Sequence, residues 1–150
     1  MSRYDVVCEY PYPIAEVWHV LTDPAHVAQW TTTGQGGRPD GFAPVAGTAF
    51  RFVGKPVVGW AGIVYCEVRE VEAPHRLRYT WKGDADSDEV TEVVYVLEEI
   101  PGGTRFTWRH TGFTGVGGFA MSKLLGNVRR RMLTEGVPPL LAAWHAAQSA

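Results

Sequence analysis

Thr104-Arg105-Phe106-Thr107-Trp108-Arg109-His110 carries a ring at every second position from Phe106 onward. A β-strand turns successive side chains to opposite faces, so this segment has one aromatic face and one face of Arg and Thr. The same alternation recurs in Leu77-Arg78-Tyr79-Thr80-Trp81 and in Phe50-Arg51-Phe52. A 16.6 kDa chain can fill a core with Val, Ile and Leu alone. Strands that turn rings and one His to the same side describe a sheet that wraps around something.

Outward from these segments, strands are expected near 48–54, 59–71, 75–82, 89–98 and 104–111, punctuated by Lys55-Pro56, Ala73-Pro74, an acidic turn over 83–88 and Pro101-Gly102-Gly103. Such spacing with short turns makes an antiparallel meander. In the 89–98 strand the inward set is Thr91, Val93, Tyr95 and Leu97, because Glu92 and Glu98 share the other phase; in 62–71 it is Gly62, Val64, Cys66 and Val68. Before the meander, residues 4–10 form a strand stopped by Pro11 and Pro13. Ile14, Val17, Trp18 and Leu21 follow at helical spacing, and Asp23-Pro24 starts a second short helix that runs to Trp30. Residues 31–47 show no sustained period and read as a mobile loop, a candidate lid. After a glycine-rich turn over 112–118, Leu124, Leu125, Val128, Met132 and Leu133 mark a helix, which Gly136 and Pro138-Pro139 kink or split.

Composition narrows the function. The 150 residues suit one domain, with no linker or repeat. Cys8 and Cys66 lie inside strand-like runs and not in a metal or redox motif, so free packed thiols and a reducing cytoplasmic setting are expected. A formal charge of −2 argues against nucleic-acid binding. The basic run Arg129-Arg130-Arg131 would fan around a helix, where a solvated face outweighs a phosphate site. No apolar stretch is long enough to insert in a membrane, and Met1-Ser2-Arg3-Tyr4-Asp5 lacks a signal-peptide core.

The order of elements resembles the START-like, Bet v 1-like helix-grip superfamily. Within it, the chain is similar to the bacterial branch named after the C-terminal domain of the activator of Hsp90 ATPase. The resemblance rests on Pro13-Ile14-Ala15-Glu16-Val17-Trp18 leading through Leu21-Thr22-Asp23-Pro24 to Trp30, on residues 70–81, on Leu97-Glu98-Glu99, and on Gly103-Thr104-Arg105 running into His110-Thr111-Gly112-Phe113. It implies an α+β fold: a curved antiparallel sheet of six or seven strands around a long C-terminal helix, with an apolar cavity between them and two short helices after the first strand. There are two departures. The family's closing helix is usually entered by a Gly-Trp pair, where this chain reads Glu135-Gly136-Val137-Pro138-Pro139. The chain also leaves no room for the N-terminal domain with which the eukaryotic co-chaperone grips Hsp90, so chaperone activation is not expected.

On this fold the cavity wall comprises Trp30, Phe50, Phe52, Leu77, Tyr79, Trp81, Tyr95, Phe106, Trp108 and His110, with Met121, Leu125, Met132 and Leu140 opposite. The alternative is that these rings simply pack on the helix. His110 is the polar point to watch, as a ligand partner or general base, or as a histidine satisfied by its neighbours; Tyr79 and Tyr95 are phenol donors of the same standing. His19, His26, His75 and His145 lack the spacing of a metal site, no cofactor is implied, and the serines lack a nucleophile elbow. Asp84, Asp86, Asp88 and Glu89 read as solvation of a turn. The leading expectation is a binder of a hydrophobic, ring-containing small molecule, lipid or polyketide-like. The competitors are a cyclase, dehydratase or isomerase of a polyketide-like substrate in the same cavity, with His110 and Tyr79 handling protons, and a ligand-free protein-interaction or stress-response module. A monomer and a homodimer both stay open.

Overall fold

Pro11 and Pro13 end strand β1 (Ser2–Tyr10) where the sequence indicates, and Pro13 then caps helix α1 (Ile14–Thr22). The computed structural model describes residues 1–34, 36–56, 58, 61–86 and 88–149. Asp23 ends α1 and caps α2 (Pro24–Trp30): its carboxylate accepts from the His26 backbone N–H at 3.3 Å, and Pro24 supplies a first-turn residue that needs no N–H partner. The buried side of α1 consists of Val17, Val20 and Leu21, and the Trp30 indole N–H donates to the Val20 carbonyl at 2.9 Å, locking the two helices together.

Seven strands follow the expected meander. They are β1, β2 (Arg38–Asp40), β3 (Ala49–Val53), β4 (Ile63–Glu72), β5 (Arg76–Lys82), β6 (Thr91–Ile100) and β7 (Gly103–Phe113), ordered β1-β7-β6-β5-β4-β3-β2 and all antiparallel. Two expectations change. The span 31–47 is not all loop, because Arg38–Asp40 pairs with β3 and Phe42 packs edge-on against Phe50 at 5.0 Å; a three-residue edge strand containing Pro39 is too short to show a period. The strand expected from 59 begins at Ile63, and Gly59 and Trp60 lie outside the described residues.

Alternation sorts the sheet as expected. Val64, Cys66, Val68, Leu77, Tyr79, Trp81, Val93, Tyr95, Leu97, Phe106, Trp108 and His110 are buried on the inner face. The arginines between them pair with carboxylates on the outer face, as in Arg105–Glu9, Arg109–Asp5 and Arg78–Glu92. Exposed pairs of this kind contribute roughly 0–1 kcal/mol each, so they set solubility and register more than stability.

The C-terminal helix is split. Helix α3 (Gly115–Arg131) runs into a π-helical turn (Met132–Gly136) and then α4 (Val137–Ser149). Pro138 and Pro139 cannot donate to carbonyls one turn back, and the Val137 N–H reaches five residues back to the Met132 carbonyl. Gly136 sits where a Cβ would come within 2.3 Å of Thr33 Oγ1, so a bare backbone is what lets this turn press against the end of α2. Helix α3 lies along β1 and β7, and α4 lies against α1. No helix among the described residues is long and apolar enough to cross a membrane.

Candidate functional site

The inner face of the sheet forms a continuous aromatic wall. Phe50 meets Tyr79 at 5.2 Å, Tyr79 meets Tyr95 at 6.1 Å, and Tyr95 meets Trp108 at 4.9 Å; a second row runs from Phe52 to Trp81 at 5.7 Å and on to His110 at 5.2 Å. Trp30 closes one end, perpendicular to Trp108 at 6.2 Å. Every wall residue named from sequence, from Trp30 through His110, is 9% exposed or less, as is Met132 beneath them. Leu125 and Leu140 pack on the core partly buried.

Met121 does not belong to this set. It is 47% exposed, and the side of α3 turned inward is Ser122, Gly126 and Arg129. The reason is proximity: a Cβ on Gly126 would already touch the Tyr4 ring at 3.5 Å, so small residues face β1 and the larger apolar ones turn away.

Arg129 is the second correction. The run 129–131 was expected to be solvated, and Arg130 and Arg131 are exposed, but Arg129 is 3% exposed. Its guanidinium lies 4.7 Å from the Trp108 ring centroid, 5.0 Å from Trp81 and 5.8 Å from Phe52. In the space between sheet and helix where the sequence reading put an apolar cavity, the structure places this cation. Nη1 donates to the Met132 thioether at 3.1 Å, Nε has no partner, and no carboxylate among the described residues pairs with it. Burying an unpaired guanidinium costs several kcal/mol, of which a desolvated cation–π contact returns about 2 kcal/mol.

Beside the cation runs a hydrogen-bond chain whose directions are fixed from its far end. Thr91 Oγ1 donates to the Trp81 carbonyl at 3.1 Å, so it accepts from His110 Nε2 at 2.7 Å. His110 Nδ1 is then the acceptor of the Tyr4 hydroxyl at 3.1 Å, and the Tyr4 oxygen accepts from the Trp108 indole at 3.2 Å. Burial, reinforced by the Arg129 charge, lowers the His110 pKa to about 3, so the imidazole is neutral with both nitrogens engaged. The Tyr4 hydroxyl is pushed up by burial and pulled back by Arg129. Tyr79 differs: its hydroxyl is buried with no hydrogen bond of standard geometry, only a weaker contact with the Tyr95 hydroxyl, and burial raises its pKa far above the usual phenol value.

Tyr4 and Arg129 are the residues sequence reasoning missed, and both left a signal. Tyr4 shares the phase of Val6 and Tyr10, and Arg129 falls four residues after Leu125 and three before Met132, inside the same helical stripe.

Other features are peripheral. The surface depressions among the described residues include two of appreciable size. One, of about 470 Å³, lies beside β3 and β4 and reaches the wall at Phe50 and Cys66; the other, of about 300 Å³, lies between the start of α1 and the β6–β7 turn. Cys8 and Cys66 are free, with burial raising both thiols. The spacing of the histidines suggested no metal site, yet His19 and His26 converge with Asp23, their donor atoms within 4.8 Å of one another. There Asp23 holds the His26 ring at 2.9 Å, and Trp144 stacks on His19 at 3.9 Å.

A seven-stranded antiparallel sheet with a long broken helix laid on its aromatic face defines a helix-grip protein. The family model described as Activator of Hsp90 ATPase homolog 1-like protein matches residues 11–128, and the chain belongs to that family. No curated protein matches it. Among solved structures, protein MLL2253 from Mesorhizobium loti is similar with a TM-score of 0.79 and 23% identity, over 95% of this chain and 98% of that one. DynU16, a protein in the dynemicin biosynthetic locus, gives a TM-score of 0.67 and 24% identity over 92% of this chain and 49% of its own. PFC0360w, an HSP90 activator from Plasmodium falciparum, gives 0.64 and 15% over 91% of each. At these identities the likeness establishes the fold and not the activity.

Proposed function

We propose that this protein binds a hydrophobic, ring-containing small molecule, lipid or polyketide-like, between the inner face of the sheet and the C-terminal helix. The observation that carries the reading is a wall of rings that holds two polar groups with unfilled bonding capacity, Tyr79 Oη and Arg129 Nε. A core that served packing alone would leave neither. Rigid rings supply affinity, on the order of 25 cal/mol per Å² of apolar surface buried, while a few polar groups orient the guest. Arg129 is the long, rotatable group of this interior, and its swing off the rings makes room for the ligand. The similarity to a protein from a natural-product biosynthetic locus supports a guest of that kind. Two free thiols suit a reducing cytoplasm.

Binding is favoured over catalysis because His110, the candidate base, has both nitrogens committed to Thr91 and Tyr4. The test is a titration of the purified protein with fatty acids and polycyclic aromatics, followed by tryptophan fluorescence and native mass spectrometry. Saturable quenching with a one-to-one adduct is expected. Absence of quenching and of any co-purified lipophile across all classes would refute the reading.

A further inference from the structure

The interior between sheet and helix carries an uncompensated positive charge. The titratable groups that sense Arg129 are Tyr4, Cys66, Tyr79, Tyr95 and His110, and none of them supplies an anion, since burial disfavours the charged form of each. The remaining partners of the guanidinium are neutral: the faces of Trp108, Trp81 and Phe52, the Tyr4 hydroxyl and one thioether, a weak acceptor. We infer that Arg129 is the recognition point for a carboxylate on the bound molecule. The inference rests on the binding reading above and adds the chemical class of the guest.

The fork geometry fits. The edge of the guanidinium that bears Nε offers two parallel N–H donors, the arrangement that a carboxylate accepts bidentately, and Nε is the atom without a partner. The second group without a standard hydrogen bond, the Tyr79 hydroxyl, belongs to the same enclosure: its ring contacts Phe52 at 6.3 Å and Trp108 at 6.4 Å, two of the three rings that Arg129 covers. Two forked donors and one phenol suit a monoanion with two oxygens. A phosphate would bring more charge and more acceptors than this enclosure has donors for. Trp81 and Trp108 flank the charge, so the guest's apolar rings would lie where the guanidinium now does. The low local dielectric makes the ion pair selective: a neutral isostere of the same shape gains the burial but leaves the cation unmet.

The experiment compares matched probes, 2-naphthoic acid with its methyl ester and palmitic acid with its methyl ester, on the wild-type protein and on Arg129→Met. That variant keeps a long apolar side chain and removes the charge. In at least one pair the wild type is expected to bind the acid about tenfold or more tighter than the ester, and Arg129→Met to abolish that preference while still binding the ester. A variant that is folded by circular dichroism and keeps the acid preference overturns the assignment, as does a wild type that binds acid and ester equally. If no probe binds the wild type, the binding reading fails and takes this inference with it. The wild type gives an independent readout should the variant not fold: the Arg129 Nε–H proton resonance is expected to shift with the acid and not with the ester, and an unmoved resonance on acid binding contradicts the proposal.

Discussion

The Arg129 guanidinium lies 4.7 Å from the centroid of the Trp108 ring, and the two side chains are 3% and 0% exposed. A cation held this way is met by ring quadrupoles and not by an opposite charge. The protein therefore keeps an unmet desolvation cost at the centre of its interior.

Replacing that charge should not weaken the fold. Arg129→Met exchanges an unpaired buried cation for an apolar side chain beside Met132; replacing even a buried ion pair by apolar residues is often neutral or stabilising by about 1–4 kcal/mol, and here no pair is lost. Urea denaturation checks this, with an unchanged or higher midpoint expected. A loss of more than about 2 kcal/mol would mean that the ring contacts outweigh the burial cost.

Tyr79 allows a separate test of the same interior. Its hydroxyl has no hydrogen bond of standard geometry, so Tyr79→Phe removes a polar burial cost without breaking such a bond and should leave stability unchanged or raise it by up to about 1 kcal/mol. The same substitution should weaken ligand binding several-fold in a fluorescence titration. A strong loss of stability would reveal a bond that the structure does not contain.

His110 makes stability depend on pH, and the sign follows from its neighbours. Tyr4, Thr91, Trp81 and Phe113 enclose the ring and Arg129 repels its charged form, so the folded pKa of about 3 lies below the unfolded value of 6.5. The unfolded chain then binds more protons between those values. Stability is complete above pH 6.5 and falls as pH drops, by roughly 2–3 kcal/mol between pH 6.5 and 4.5. Asp23 and Asp40, whose pKa values are lowered, add a loss of the same sign only further into acid. Chemical denaturation across this window should show the slope in the wild type and a flattened one in His110→Asn.

Gly136 ties the broken helix to α2. Gly136→Ala would put a methyl within 2.3 Å of Thr33 Oγ1 and 3.2 Å of the Trp30 carbonyl, and should cost about 1–3 kcal/mol despite alanine's better helix propensity. Thr33→Ala in the same chain should recover part of the loss, measured as a double-mutant cycle.

How far the sequence foretold this molecule depends on which physical signal each residue obeys. The period-two rings of β5 and β7 were legible because one face of a sheet is buried along its whole length, so hydrophobicity alone orients Tyr79, Trp81, Phe106 and Trp108. Helix α3 misled at Met121, since close approach to Tyr4 selects for small volume, which put Ser122 and Gly126 inside. The place of Arg129 in the helical stripe was legible but its partners were not, because they are rings contributed by β3, β5 and β7 that no local pattern joins to the helix. The meeting of His19, Asp23 and His26 escaped a spacing rule because the Asp23-Pro24 corner folds α2 back on α1.

The central claim is that the space around Arg129 is where a guest sits. A crystal structure of the protein grown with a bound aromatic or fatty acid tests it most directly. The expected result is ligand density between the Trp81 and Trp108 rings and the C-terminal helix, with its carboxylate on Arg129 and the guanidinium moved off the rings. An interior still filled by Arg129, with the acid bound on the outer surface, would contradict it.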